Sequence, residues 1–398
     1  MKDNIYRCLF PIFQKYPDLV YLESSATSLK PQILIDSLNN FYKFNGLGNK
    51  SFGFLSQENS QKIIETRKLV AQFINSEPEE IIFTKGSTDG LNQIAFGLTH
   101  LIKEGDEIIV SDLEHNSSLL PWMRIAKQKK AKLVFIPLNE QYKITLENFK
   151  KVLNSKTKIV ALIHVSHILG YITPIEEIVK ETRRFQTIII LDTTQSPGHI
   201  PLDVKKLGID LMVFTSHKMY GPFGLGILFG KKKILSEMKP LFVGGRMAQN
   251  VLKDDFEIST IPDRFEAGTP NLSAIIPFKD TLEWLISLGF DNIKKYEEEL
   301  YNFLLEKIKK IKDIIIYNEK PDIGIVTFNL KNIHSHDVAS FLAENNIYVS
   351  HGNICSHLAV NKMKTNNVVR VSLGIYNNKQ DIITFIKCLT EVQNIYQR

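Results

Sequence analysis

Residues 210–224 read Asp210-Leu-Met-Val-Phe-Thr-Ser-His-Lys-Met-Tyr-Gly-Pro-Phe-Gly224. The first half is a short apolar run that includes a β-branched residue, which predicts a buried strand. Gly221 and Pro222 follow soon after and mark a turn. Lys218 therefore lies just past the end of a strand, among hydroxyl and imidazole side chains. Such a lysine is in a polar pocket and is not part of a solvated helix face.

A second strand of the same kind ends on a carboxylate. The apolar run Thr187–Leu191 is followed by Asp192, which needs a partner at that depth. In open parallel sheets, ligands bind outside the carboxyl ends of the strands, where both Lys218 and Asp192 fall. A lysine and an aspartate so placed match the two anchors of pyridoxal phosphate (PLP). The lysine forms a Schiff base with the cofactor, and the aspartate pairs with its pyridinium nitrogen.

The surrounding sequence predicts an α/β fold. Short apolar runs alternate with amphipathic segments from about residue 80 to 230. The predicted strands are Glu80–Phe83, Glu107–Val110, Lys132–Ile136, Lys158–Ile163, Thr187–Leu191, Leu211–Phe214 and Gly224–Leu228. Near-continuous apolar strands that alternate with helices indicate a mainly parallel seven-stranded sheet covered on both faces.

The sequence beyond residue 275 has a different character. A long helical stretch, Ala274–Lys312, precedes shorter strands and helices, which predicts a smaller α+β domain. We expect an N-terminal segment (1–20) that packs on the small domain, a large PLP-binding domain (21–275) and a small C-terminal domain (276–398).

Composition restricts the class of protein. The chain has 398 residues, 43% hydrophobic and 23% charged, which is ordinary for a globular protein large enough for two domains. The dispersed net charge of +6 does not favour nucleic-acid binding. Without a membrane-length apolar run or a signal peptide, we expect a cytoplasmic protein. The three cysteines, Cys8, Cys355 and Cys388, predict neither disulfides nor a metal site.

Two further segments offer candidate cofactor contacts. Gly86, Ser87 and Thr88 follow a strand and open a helix, where backbone N–H groups and hydroxyls can bind a phosphate; a simple N-cap is the alternative. His115 follows another strand and can stack on a flat cofactor or move protons; a histidine satisfied in a polar loop is the alternative. Gln195 is a third candidate for cofactor contact, and a role in a turn is the alternative.

Taken together, several motifs resemble one family. In chain order they are Tyr21-Leu-Glu-Ser-Ser-Ala-Thr-Ser-Leu-Lys-Pro31, Glu114-His115, His164-Val-Ser-His-Ile-Leu-Gly170, Asp192-x-x-Gln195, Ser216-His-Lys-Met-Tyr-Gly-Pro222 and Arg264-Phe-Glu-Ala-Gly-Thr-Pro-Asn271. From about residue 20 to the C-terminus, the chain resembles the class V aminotransferase group of PLP enzymes, which have PLP fold type I. More narrowly, it resembles the SUF-type (group II) cysteine desulfurases of iron–sulfur cluster assembly.

The resemblance implies a role for individual residues. Lys218 would bind PLP covalently, Asp192 would hold its pyridine nitrogen protonated, Gln195 would contact the ring oxygen and His115 would stack on the ring. The phosphate would be bound by Ser87, Thr88, Thr215 and His217, with Thr269 reaching in from the partner subunit of a homodimer. Arg370 would grip the substrate carboxylate, a task that suits a planar guanidinium.

The resemblance also implies the sulfur chemistry. Cys355 matches the family's nucleophile, which takes sulfur from L-cysteine as a persulfide, releases L-alanine and loads an acceptor protein. His351 and His357 are near in sequence and can stabilise a thiolate. His336 resembles a segment that engages a zinc-containing sulfur acceptor, with a helix-capping role as the alternative.

Several positions depart from the family pattern. Ser350 replaces a common arginine, Ser51 and Phe52 replace a His-Arg pair, and His167 and Ser24 replace asparagines. Asn353 and Ile354 replace a His-His pair before Cys355. The substrate-handling residues are thus altered more than the cofactor residues. The alternatives are a selenocysteine lyase, a cysteine sulfinate desulfinase, another PLP lyase or epimerase, a low-activity divergent desulfurase, or a non-catalytic partner in an assembly complex.

Overall fold

A computed structural model describes residues 4–396. Its strands are β1 (Val20–Tyr21), β2 (Ile81–Thr84), β3 (Glu107–Ser111), β4 (Lys132–Ile136), β5 (Thr157–Ile163), β6 (Ile188–Asp192), β7 (Leu211–Thr215), β8 (Gly226–Gly230), β9 (Ala248–Val251), β10 (Phe256–Ile258), β11 (Ile314–Ile316), β12 (Ile325–Leu330), β13 (Ile347–Tyr348), β14 (Ser350–Gly352) and β15 (Val368–Ser372). Its α-helices are α1 (Ile12–Lys15), α2 (Gln32–Phe44), α3 (Phe54–Ile74), α4 (Ser87–Leu98), α5 (Asn116–Lys129), α6 (Leu146–Lys150), α7 (Ile175–Thr182), α8 (Val204–Leu207), α9 (Lys232–Glu237), α10 (Leu272–Leu288), α11 (Phe290–Ile308), α12 (Ser335–Glu344), α13 (His357–Lys362) and α14 (Lys379–Tyr396).

The large sheet has seven strands in the order β2-β8-β7-β6-β5-β3-β4. Strand β8 pairs antiparallel with both of its neighbours, and the other pairings in the sheet are parallel. The prediction of an α/β fold with a mainly parallel seven-stranded sheet is therefore confirmed. The strand that was expected at Gly224–Leu228 begins two residues later, at Gly226.

Both faces of this sheet are buried because successive side chains of an apolar strand point to opposite sides. In β6, Ile188 and Ile190 pack in the core beneath α4 and α5. Ile189 and Leu191 pack in the opposite core, to which α3, α7 and α10 contribute. Every residue of β6, β7 and β8 is buried, so the polar groups at their ends are held by a rigid frame.

The C-terminal part of the chain forms a second sheet. Its four strands follow the antiparallel order β11-β12-β15-β14 and share a core with α11, α12 and α14, in which Cys388 is buried. The single helical stretch predicted for Ala274–Lys312 is wrong. It is two helices, α10 and α11, because Gly289 between them takes a φ of +76°, which is in the region that favours glycine.

The N-terminal segment lies against residues near the C-terminus. Strand β1 pairs in parallel with β13. The Asn4 side-chain amide donates to the carbonyl of Ile375, 371 positions later, at 2.8 Å, and Arg7 forms an ion pair with Asp381 at 3.0 Å. The division of the chain at residue 275 stays a prediction, and α10 runs across it. None of the helices in residues 4–396 combines the length and apolar character that a membrane crossing requires.

Candidate active site

Two neighbouring cavities open at the carboxyl ends of the large sheet's parallel strands. The first cavity has a volume of about 730 Å³, and the predicted residues that line it are Ser87, Thr88, His115, Asp192, Gln195, Thr215, His217 and Lys218. The second cavity, of about 610 Å³, is lined by Cys355 and Arg370 among others. Lys218, His115 and His167 line both cavities. The fold thus brings together most of the residues that the sequence singled out.

Lys218 lies where the two cavities meet. It ends the 3₁₀ turn Ser216–Lys218, which directly follows β7. Burial and, next, the nearby charge of Arg370 lower the pKa of Lys218 to about 8, although Asp192 and Cys355 oppose this. Because a neutral amine is the nucleophilic form, a lysine with a lowered pKa suits covalent chemistry at a carbonyl.

Asp192 is fixed by a residue that the sequence interpretation missed. It ends β6 with 4% of its surface exposed, and its Oδ1 accepts a hydrogen bond from the Thr194 amide at 3.0 Å. The Thr194 hydroxyl donates to the same oxygen and lies 2.7 Å from the Ser87 hydroxyl. Thr194 thereby joins the carboxylate to the start of α4. The sequence offered a weak signal, since Thr194 stands between Asp192 and Gln195.

The start of α4 forms a glycine-lined edge of the first cavity. Helix α4 begins at Ser87, directly after Gly86, which has a φ of +155°. A Cβ on Gly226 of the neighbouring β8 would lie 2.5 Å from the Gly86 Cα, so glycine is required for this close approach. The helix presents its N-terminal N–H groups here, and the Thr88 hydroxyl is 2.7 Å from the Ser117 hydroxyl. An anion fits this end of the cavity.

The carbonyl of His217 accepts an unusual number of hydrogen bonds. They come from the Thr27 hydroxyl (3.0 Å), the Ser28 amide and hydroxyl (each 3.0 Å) and the Lys30 ammonium (2.9 Å). This carbonyl immediately precedes Lys218, so the segment 27–30 fixes the turn that carries the lysine. The His217 ring lines the first cavity, and burial followed by the charge of Lys218 lowers its pKa to about 4.

The side chains of His115 and Gln195 are each fixed by a hydrogen bond with a backbone group. His115 caps α5, and its Nδ1 accepts from the Ser117 amide at 3.1 Å, which leaves the proton of the neutral ring on Nε2. Burial is the main cause that lowers the pKa of His115 to about 4. Gln195 donates to the Ser25 carbonyl at 2.8 Å and is buried.

Arg370 is buried in β15 beside the second cavity. Its Nη1 donates to the His167 carbonyl at 2.7 Å, and its Nη2 donates to the Ser350 hydroxyl at 2.9 Å. Ser350 donates in turn to the Glu23 carboxylate at 2.9 Å. The Nε atom has no hydrogen-bond partner among the described residues. Burial lowers the pKa of Arg370 to about 10, which still leaves it charged at neutral pH.

Cys355 is exposed in a turn between β14 and α13. Cys355 and the preceding Ile354 both have left-handed backbones, with φ of +54° and +47°. The Cys355 carbonyl accepts from the Asn116 amide at 2.9 Å. Of the two nearby histidines, His351 lines the second cavity, and the Nδ1 of His357 is 3.3 Å from the Asn116 side-chain amide.

Thr269 and His336 lie outside the paired cavities. Thr269 lines a third cavity of about 360 Å³, which shares Lys85, Asp89, Gly224 and Phe242 with the first. Within one chain, Thr269 therefore does not reach the other predicted phosphate residues. His336 lies in α12 and is exposed, with its ring 5.5 Å from that of His351.

Known proteins resemble this chain over nearly its whole length. Residues 20–385 match the family model for class V aminotransferases. The chain is 35% identical over 395 residues to a probable cysteine desulfurase of Halalkalibacterium halodurans, covering 98% of this chain and 97% of that protein. It is 36% identical to a cysteine desulfurase of Wigglesworthia glossinidia brevipalpis, with 96% and 94% covered.

A solved structure has the same fold. The apo cysteine desulfurase from Thermococcus onnurineus superposes with a TM-score of 0.93 at 32% identity, covering 98% of this chain and 97% of that one.

Proposed function

The chain belongs to the class V aminotransferase family, and on that basis we propose that it is a PLP-dependent cysteine desulfurase. It converts L-cysteine to L-alanine and takes the sulfur onto Cys355 as a persulfide. One observation carries the proposal: the buried Lys218 lines a cavity that it shares with Asp192 and another that it shares with Cys355 and Arg370. A cofactor anchor, a substrate-carboxylate group and a thiol thus line two cavities that share Lys218.

The residues of the first cavity fit PLP. Asp192 and His115 would hold the ring, Lys218 the aldehyde and the start of α4 the phosphate, so the chemistry of the lining fits this cofactor. The close approach of β8 to Gly86 requires glycine at position 226 and fixes the residue that precedes α4. Bound PLP supplies an electron sink for charge that develops next to the substrate amine.

We assign cofactor-binding roles to eight further residues. Asp192 would keep a proton on the pyridine nitrogen, Gln195 would contact the ring oxygen, and His115 would stack on the ring. Ser87, Thr88, Thr215 and His217 would bind the phosphate, together with Thr269 of a second subunit in a homodimer. Thr269 lines a cavity adjoining the first, which is compatible with a role across a subunit contact.

Lys218 and Arg370 act on the substrate. As a free amine, Lys218 accepts the proton from the substrate Cα, and its lowered pKa of about 8 increases the neutral fraction near physiological pH. Arg370 lines the second cavity and binds the substrate carboxylate through guanidinium N–H groups that the His167 carbonyl and the Ser350 hydroxyl do not use.

Cys355 receives the sulfur. Its thiolate attacks the substrate sulfur, a sulfur–sulfur bond forms, the carbon–sulfur bond breaks, and the substrate carbon skeleton leaves as alanine after protonation. The exposure of Cys355 supports onward transfer to an acceptor protein of iron–sulfur assembly, with a zinc-containing acceptor near His336 as one option. A cytoplasmic location accords with a thiol that must remain reduced.

Mass spectrometry after addition of L-cysteine to the holoenzyme tests the proposal. We expect one additional sulfur atom on Cys355 and an equivalent amount of alanine. Cys355→Ser abolishes both sulfur capture and acceptor loading, whereas Cys8→Ser, which changes another exposed cysteine, leaves them unchanged. Full sulfide release from cysteine by the Cys355→Ser variant would contradict the proposal.

A related PLP lyase is the second candidate function. The reason to test it is the set of contacts that Ser350 makes in the second cavity. Ser350 bonds both Arg370 and Glu23 in a position where the family commonly has an arginine, so anion binding is weaker there. Turnover of selenocysteine and of cysteine sulfinate should be compared with that of cysteine. A kcat/KM for either compound well above that for cysteine would favour the lyase or the desulfinase.

A further inference from the structure

His167 connects the two cavities. It lies after β5, is 3% exposed and lines both cavities. Its Nε2 is 3.1 Å from the carbonyl oxygen of Ile354, the residue before Cys355. Its own carbonyl accepts from Arg370 at 2.7 Å, and its ring lies edge-on to the His115 ring with centroids 4.9 Å apart. One residue therefore contacts the thiol turn, the carboxylate-binding arginine and the ring-stacking histidine.

The hydrogen bond to Ile354 fixes the protonation of His167. A carbonyl oxygen only accepts, so Nε2 must carry the hydrogen. Burial, and next the neighbouring His115, hold the pKa of His167 well below its ordinary value, so the ring is neutral. The Nδ1 atom is unprotonated and buried, with no partner among the described residues. His167 is therefore a constant donor to the turn throughout the neutral pH range.

The turn that receives this bond needs support. Ile354 and Cys355 are consecutive non-glycine residues in the left-handed region, and Ile354 is β-branched, which makes that conformation costly. Such backbone strain persists only where surrounding contacts fix it. Three hydrogen bonds hold the turn. The Ser356 amide donates to the Asn353 carbonyl at 2.8 Å, and the Asn116 backbone amide donates to the Cys355 carbonyl at 2.9 Å. The third runs from the His167 ring to the Ile354 carbonyl.

We propose that His167 is a positioning residue, whose Nε2–H holds the turn of Cys355 in its left-handed conformation and so aligns the thiol with Lys218 and Arg370. The catalytic meaning of this role rests on the proposed desulfurase function. The structural part stands on contacts of the chain alone, so it can be tested without turnover.

Hydrogen–deuterium exchange of the apoprotein tests the structural part. The reporters are the amides of Asn116 and Ser356, which bond within the turn. In His167→Leu we expect both to exchange about tenfold faster, the loss that one net hydrogen bond predicts. His167→Gln places an amide N–H near the position of Nε2 and should stay within about threefold of the parent protein. His167→Asn is too short to reach Ile354 and should behave like the leucine variant.

Single-turnover persulfide formation on Cys355 gives the functional readout. His167→Leu and His167→Asn should both slow it about tenfold or more, and His167→Gln should restore most of the rate. Unchanged amide exchange in the leucine variant, or a glutamine variant as impaired as the asparagine variant, would overturn the inference. A parent enzyme that forms no persulfide would refute the proposed function instead, while the exchange result would still decide the positioning role.

Discussion

The first and second cavities are built differently. The first is lined by groups at the ends of fully buried strands, and its key carboxylate, Asp192, already has partners on its own loop. In the second, the proposed nucleophile Cys355 is exposed on a strained turn that interactions with other segments hold in place. A cofactor that stays bound can be held by a rigid core. A thiol that must pass sulfur to another protein has to be at the surface, so its position depends on a few contacts.

The departures from the family pattern are distributed unevenly between the two cavities. Ser350, Ile354 and His167 all line the second cavity, and only His167 also lines the first. The pair Ser51 and Phe52 lines neither, and Phe52 is 99% exposed. Ser24 and Asn353 also line neither cavity, so three of the seven departures line the second cavity and one of those three lines the first as well.

The largest effect should come from Lys218, one of the three residues that line both cavities. Lys218→Ala removes both the covalent anchor and the proton acceptor, so we expect alanine formation to fall by roughly 10³-fold or more. The absorbance of lysine-bound cofactor should vanish, while alkylation of Cys355 in the apoprotein should be unchanged. Lys231→Ala, which removes a lysine paired with Asp210 before β7, is the control and should keep full turnover. Retention of a tenth of the activity would contradict the assignment.

A change confined to the first cavity should be smaller. Asp192→Asn removes the charge that keeps the ring nitrogen protonated, and we expect kcat to fall roughly hundredfold with a similar loss of PLP affinity. Steady-state kinetics and PLP titration measure the two effects. The matched control is Asp210→Asn before β7, which should leave kcat within about twofold. Equal losses in both variants would mean that general destabilisation, not cofactor chemistry, is responsible.

A change confined to the second cavity should act on substrate binding. Arg370→Lys removes the planar set of donors, so we expect KM for cysteine to rise about thirtyfold with a lesser change in kcat. Ser350→Ala removes only one partner of the guanidinium, and its effect on KM should be about threefold. PLP affinity should be unchanged in the serine variant. An unaltered KM in Arg370→Lys would exclude Arg370 as the carboxylate-binding group.

The pH dependence of cofactor loading links the two cavities. Attachment of PLP needs neutral Lys218, so its rate should rise with pH through about 8 and be about tenfold below its plateau at pH 7. Arg370→Leu removes a cation that disfavours the ammonium form of Lys218, so the pKa of Lys218 should rise. The rise of the attachment rate with pH should then shift to higher pH. Stopped-flow absorbance from pH 6 to 10 measures the attachment rate as a function of pH. A pH–rate profile unchanged by the Arg370 substitution would show that the cavities are electrostatically independent.

The large sheet was predictable from sequence, and the reason is physical. Strands buried on both faces are uninterrupted apolar runs, so β4 was predicted to the residue and the other strands to within two residues. The break at Gly289 was missed because amphipathic sequence continues on both sides of it. A single glycine inside a helical pattern is often tolerated, and only its φ of +76° reveals the break.

The composition of the first cavity was also largely predictable, since most of its polar residues follow strands whose ends must meet. What the sequence did not reveal is how those residues are fixed. The bond from Thr27 to the His217 carbonyl spans 190 positions, and that from His167 to Ile354 spans 187. Contacts at such separation depend on the folded topology and leave no local pattern. Thr194 was missed because a hydroxyl next to a predicted carboxylate is common in turns.

The attachment of the N-terminal segment to the end of the chain has a consequence for synthesis. The hydrogen-bond partner of Asn4, the Ile375 carbonyl, is 371 positions later in the chain. At about 5–20 residues per second, the ribosome synthesises it roughly 20 to 75 seconds after Asn4. For most of that interval β13 has not yet been synthesised, so β1 has no strand to pair with, while the strands of the large sheet are already available to one another. Chaperones that bind exposed apolar segments should therefore meet this protein first at its N-terminus, and should release it only when β13 has emerged.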